Sequence, residues 1–176
     1  GVRKVLDARR QGRLPFVLGM LADFIHADVE HADLVESALG AIEQCIVVSG
    51  VAELKEHREE LEAVLAGVCA EVLCLDHQHA YSQPFRPADL PVPAQRLTDL
   101  LRLDSTVAPA LWRLLGRTLV VEDLQAAGTL SAVLGRTYQF VTRDGAVVGI
   151  DGRIRIGRTQ SAGLIARQSE LVQLTE

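Results

Sequence analysis

Sliding the chain 76 positions along itself aligns Leu21 with Leu97, Asp23 with Asp99, Asp28 with Asp104, Leu39 with Leu115 and Gly40 with Gly116. The apolar pairs Phe24/Leu100 and Ile25/Leu101 fall on the same offset. A short apolar strand-like run follows in each copy, Ile46-Val47-Val48 in the first and Leu119-Val120-Val121 in the second, the latter arriving three residues sooner. Self-similarity at this distance means that one supersecondary arrangement is used twice. The chain is therefore expected to build two related subdomains.

Local patterning supplies the parts. Leu34, Val35, Ala38, Leu39 and Ile42 recur at helical spacing, interrupted near the end by Gly40, and Cys45 to Val48 reads as a short buried strand. Leu54, Leu61, Val64 and Leu65 repeat the helical period as far as Gly67, ahead of a second apolar strand at Glu71 to Leu75. From Asp76 to Pro93 the periodicity fails, and Pro84, Pro87, Pro91 and Pro93 exclude a continuous helix or central strand there. Beyond them the order returns: helix at Ala108 to Leu115, strand at Thr118 to Val121, helix at Glu122 to Leu134. Strands at Tyr138 to Thr142, Ala146 to Ile150 and Arg153 to Ile156 follow, separated by Asp144-Gly145 and Asp151-Gly152, dipeptides suited to tight hairpin turns. Val2, Val5 and Leu6 suggest a helix at one end; Ser161 as a cap, with Leu164, Leu171 and Leu174, suggests one at the other.

Composition narrows the class. With 176 residues, 48% of them hydrophobic, the chain can bury a core, and no apolar run reaches the roughly 18 to 20 residues that span a bilayer. It opens at Gly1 and reads as a segment of a longer protein. Cys45, Cys69 and Cys74 are too few for a disulfide framework, so a reducing cytoplasm is expected. The net charge of -5 argues against a dedicated nucleic-acid-binding domain, yet its distribution is uneven. Residues 1–13 hold Arg3, Lys4, Arg9, Arg10 and Arg13 against Asp7, and the last third is rich in arginine. Glu53, Glu56, Glu59, Glu60 and Glu62 crowd one helix between them.

Catalytic chemistry is poorly represented. There is no phosphate-binding glycine loop, nucleophile elbow or dinucleotide fingerprint. Asp23 and Asp99 recur in both copies, so a carboxylate pair is conceivable, but duplication alone explains them, as helix caps or exposed turns. Cys69, Cys74, His77 and His79 offer four potential zinc ligands at a spacing that matches no common structural-zinc pattern. Neither a metal nor a cofactor is expected.

The segment Leu114-Leu115-Gly116-Arg117-Thr118-Leu119-Val120-Val121-Glu122-Asp123-Leu124 resembles one characteristic of hinge domains of SMC (structural maintenance of chromosomes) proteins. So do Phe16 to Asp28, Val35-Glu36-Ser37-Ala38-Leu39-Gly40 with Cys45 to Val48, Phe140-Val141-Thr142-Arg143-Asp144-Gly145 and Gly163-Leu164-Ile165-Ala166-Arg167, in the same order. The resemblance implies a mixed α+β fold of two pseudo-repeated subdomains. Residues 1–13 would end an outgoing coiled-coil helix, 14–83 form subdomain I, 84–95 a linker, 96–160 subdomain II, and 161–176 begin the returning coiled-coil helix. It implies a non-catalytic dimerisation module of a cytoplasmic, chromosome-associated ATPase whose catalytic domains lie elsewhere. A second hinge, most simply an identical chain, would be the partner.

The resemblance places the dimer contact at Gly149, Gly152, Ile156 and Gly157, where the absence of a Cβ lets two backbones approach. Each glycine can equally be turn punctuation. The family's Thr-Gly-Gly near the end of the meander is here Arg155-Ile156-Gly157, so one close approach is replaced by an isoleucine. Sequence-independent DNA contact would fall on Arg3, Lys4, Arg9, Arg10, Arg13, Arg153, Arg155, Arg158 and Arg167; a solubilising surface is the alternative for these. A duplicated small-molecule-binding regulatory α/β domain that dimerises is the rival reading of the whole chain.

Overall fold

The computed structural model describes residues 1–77, 86, 89–157 and 163–173. They form two packing units, Gly1–Phe24 with Ala41–His79, and Ile25–Gly40 with Ala80–Glu176. Each unit is discontinuous in sequence. The expected boundary between subdomains falls in the proline-rich stretch, whereas Ile25–Gly40 packs with the second unit.

The first unit contains α1 (Val2–Arg10), β1 (Val17–Met20), and a 3-10 turn at Leu21–Phe24. Within the second unit's segment come β2 (Ile25–Ala27) and α2 (Val29–Leu39), after which the first unit resumes with β3 (Ile46–Val48), α3 (Val51–Glu56), α4 (Arg58–Leu65) and β4 (Val72–Cys74). Its sheet runs in the order β1-β3-β4, with β1 antiparallel and β4 parallel to the fully buried β3. Val5 and Ala8 of α1 join Leu14, Phe16, Val17, Ile46, Val48, Leu61 and Leu65 in one core. The single helix expected over 54–66 is two, broken at His57, whose ring stacks on Phe16 at 5.3 Å.

The second unit continues through β5 (Gln95–Arg96), a 3-10 turn at Leu97–Leu100, β6 (Leu101–Leu103), α5 (Ala108–Leu115), β7 (Thr118–Val121) and α6 (Leu124–Leu134). It ends with β8 (Gln139–Thr142), β9 (Val147–Val148), β10 (Ile154–Arg155) and α7 (Leu164–Gln173). Its main sheet has the order β10-β9-β8-β7-β5. Leu90, Val92 and Ala94, which alternate with Pro91 and Pro93, pack against its core beside β5, so the end of the expected linker contributes to the fold.

The repeat is structural as well as textual. The 3-10 turns at Leu21–Phe24 and Leu97–Leu100 and the strands β2 and β6 stand at the same 76-residue offset. Both copies then place a helix, a strand, a helical crossover and a parallel strand: β3 with β4, and β7 with β8. The three-residue difference arises at the 3-10 turn Gly40–Gln44, which has no counterpart after Gly116. The repeated strands β2 and β6 pair with each other, antiparallel, Ile25 opposite Leu103 and Ala27 opposite Leu101.

Candidate functional site

The five-stranded sheet carries two cross-strand rows that reach its β10 margin. One runs Leu119, Phe140, Val148, Ile154, and the other Val120, Val141, Val147, Arg155. Side chains opposite each other on paired strands share a face. In the first row Leu119 and Phe140 are buried with Ala127 and Leu130 of α6, and Val148 packs partly against them. Ile154, the next residue out, is 55% exposed. Ile150, within the β9–β10 turn, and Ile156, just past β10, are 58% and 78% exposed. The apolar row therefore leaves the core and continues into solvent at a strand that, among the described residues, has a partner on one side only.

The second row ends differently. Arg155 donates from Nη2 to the Ser37 carbonyl in the last turn of α2, and its Nη1 lies only 2.8 Å from where a Cβ on Gly40 would stand. Gly40 closes α2 at φ +57, a conformation that favours glycine. Gln139 of β8 donates to the neighbouring Ala38 carbonyl at 3.1 Å. At its other end, α2 begins after Asp28, which pairs with Arg102 at 3.2 Å. Glu36 of α2 accepts the Ala166 N–H at 2.8 Å, capping the first turn of α7, and Ser169 donates to the Ala27 carbonyl at 2.8 Å.

The glycines of the candidate contact have distinct settings. Gly149 donates to the Arg153 carbonyl at 2.8 Å and accepts from Gly152 at 3.1 Å, which closes the β9–β10 turn. A Cβ on Gly149 would stand 2.8 Å from Asp151 Oδ1, and Gly152 sits at φ +84, so both have reasons within the chain to be glycine. Gly157 sits at φ +93, and none of the described residues comes within 4 Å of its missing Cβ. Ile150 and Ile154 were not singled out from the sequence. The alternation Arg153-Ile154-Arg155-Ile156 does not say which side meets the core, although it does mark two unlike faces.

The basic residues divide between the units. Arg3, Lys4, Arg9, Arg10 and Arg13 lie on or just after α1; Arg10 pairs with Asp7 at 3.2 Å and Arg13 with Glu60 at 3.4 Å. Arg153 pairs with Asp151 at 2.6 Å. Asp151 is held below the ordinary carboxylate range, first by the Arg153 backbone N–H and then by its guanidinium. Arg167 is exposed on α7, and Arg158 lies outside the described residues.

The chemical candidates each have a setting within their own unit. Asp23 of the first unit accepts the Met20 N–H at 2.9 Å and closes a turn. Asp99 of the second lines an open polar cleft of about 350 Å³ with Asp28, His31 and Arg102. Cys69 is exposed and Cys74 half-buried; burial, then the charge of Asp76, raises the Cys74 thiol. His79 lies outside the described residues. No helix among the described residues is long and apolar enough to cross a membrane.

Comparison with known proteins adds three kinds of similarity. Residues 14–131 match the family model for the SMC proteins flexible hinge domain. The chromosome partition protein Smc of Bacillus subtilis is 25% identical over 184 residues, covering 100% of this chain and 15% of that protein. Its Myxococcus xanthus namesake is 28% identical over 188 residues, covering 99% and 15%. The chain thus spans about 15% of the length of these curated relatives. A crystal structure of an asymmetric dimer of the Geobacillus stearothermophilus SMC hinge domain superposes with a TM-score of 0.85 at 29% identity, covering 99% of this chain and 71% of that one. The Pyrococcus furiosus SMC hinge domain shares the fold, with a TM-score of 0.67 at 22% identity, over 88% and 79%.

Proposed function

Since the chain belongs to the SMC flexible hinge domain family, we propose that it joins two chains, with the β10 margin of its five-stranded sheet as a pairing surface. The observation that carries this reading is the apolar row that runs from Leu119 through Phe140 and Val148 to the exposed Ile154, flanked by Ile150 and Ile156. An open strand also presents unpaired N–H and C=O groups, which a second chain can satisfy. Each isoleucine gains about 2 kcal/mol on full burial, before the cost of association. The crystallised relative from Geobacillus stearothermophilus forms a dimer, which supports an identical chain as partner. The work is non-catalytic and belongs to a chromosome-organising protein such as the partition relatives; the ATPase lies in other parts of that protein.

The test is sedimentation of this chain at micromolar concentration. Twice the chain mass is expected, with Ile156→Glu or Gly157→Glu giving monomer and an unchanged far-ultraviolet spectrum. A chain that stays monomeric at these concentrations refutes the reading.

A second reading concerns α1. Among the described residues Arg3, Lys4 and Arg9 are exposed and have no acidic partner, which favours phosphate contact at this helix. Duplex DNA would bind without sequence preference and weaken as salt rises. Replacing Arg3, Lys4 and Arg9 with Glu should abolish a salt-dependent mobility shift, and an unchanged shift rejects this surface.

A further inference from the structure

We infer that Arg155 is a positioning residue for self-association, one that fixes β10 with Ile154 turned away from α2 by capping the C-terminal end of that helix. The inference rests on reading the β10 margin as the pairing surface. Three observations carry it.

The first is the register. Arg155 stands opposite Val147, which is 5% exposed, on the row that continues into Val141 and Val120. An apolar residue would suit this place, yet the sequence puts an arginine there. The second is what the arginine reaches. Its guanidinium donates to the Ser37 carbonyl and lies against Gly40, whose missing side chain leaves the room it occupies. The third is the need at that spot. The last turn of α2 contains no basic residue, so the helix does not supply the cation that its own carbonyl pole attracts. Arg155 supplies it from β10, and Gln139 supplies a second donor from β8.

The consequence for pairing follows from strand geometry. Successive side chains of a strand point to opposite faces, so fixing Arg155 toward α2 fixes Ile154 on the other side. β10 has only two residues in register with β9, too few to resist a slip by themselves. A one-residue slip would turn the isoleucine toward α2 and the arginine outward. A planar fork is suited to holding against this, because it spreads its donors over the helix end; an ammonium provides a point charge.

The experiment measures the dimer dissociation constant by sedimentation equilibrium for the chain and for Arg155→Gln, Arg155→Lys and Ile156→Glu. Thermal unfolding of Arg155→Gln is measured in the Ile156→Glu background, where the chain is monomeric. The expected result is a roughly tenfold weaker dimer for Arg155→Gln, partial recovery with Arg155→Lys, and no change in monomer unfolding. An unchanged dissociation constant overturns the inference, as does an Arg155→Gln loss matched by an equal loss of monomer stability, which marks a merely structural role. If Ile156→Glu leaves the dimer intact, the pairing surface itself is misplaced. If Ile156→Glu dissociates the dimer and Arg155→Gln does not, only the role of Arg155 fails.

Discussion

Cys45 sits at the entry to β3, 6% exposed, and burial, reinforced by Glu71 and Cys74, pushes its thiol up to about 11 from the ordinary 9.0. A group whose folded value is raised contributes stability that is complete below its unfolded value and is lost as pH rises through the folded one. The window here is pH 9 to 11. Urea unfolding across it should show the native chain losing stability more steeply than Cys45→Val, and parallel curves would refute the assignment. The same burial predicts an order of reaction with a maleimide in the folded chain: exposed Cys69 first, Cys74 later, Cys45 only on unfolding. At this scale the sequence was legible where a residue type has a single use. Gly145, in the hairpin dipeptide Asp144-Gly145, sits at φ +89. Arg155 was read only as a surface cation, because its partner Ser37 is 118 positions away and no local pattern announces it.

Among elements, the helices and strands from Ala108 to Arg155 were close to fully readable, whereas β5, β6 and the pairing of β2 with β6 were not. Both strands are three residues long, too short for an alternation to show, and their partnership joins segments a full repeat apart. The matched apolar pairs Phe24/Leu100 and Ile25/Leu101 were the only hint, and they indicate likeness rather than contact. Ile25 is 1% exposed, so Ile25→Ala should cost about 3 kcal/mol in urea unfolding. At α6, Asp123 accepts the Ala126 N–H at 2.8 Å as a side-chain cap, and Asp123→Ala should cost about 1 kcal/mol by the same measurement. The expected helix at 54–66 failed at His57 because its stacking on Phe16, a contact across 41 positions, overrides a continuous helical period.

For the whole molecule, pairing makes apparent stability a function of concentration, because association draws on the folded chain alone. Raising the concentration a hundredfold should move thermal unfolding upward for the native chain and leave Ile156→Glu in place; equal behaviour of the two would contradict dimerisation. The duplication and the class of fold were visible from the offset of 76, but the composition of the two packing units was not, since periodicity assigns a residue to an element and is silent on which core receives it. Ile25–Gly40 lies between two stretches of the first unit and packs in the second. Severing the backbone between residues 83 and 84 would therefore not release two finished halves. The leading piece would carry β2 and α2 without β6, α7 or the five-stranded sheet, and the trailing piece would lack the helix whose end Arg155 caps. Each is expected to show less than its share of the native helical signal by circular dichroism when alone, and mixing them should restore the native spectrum, as in a split reporter whose parts must interlace to work.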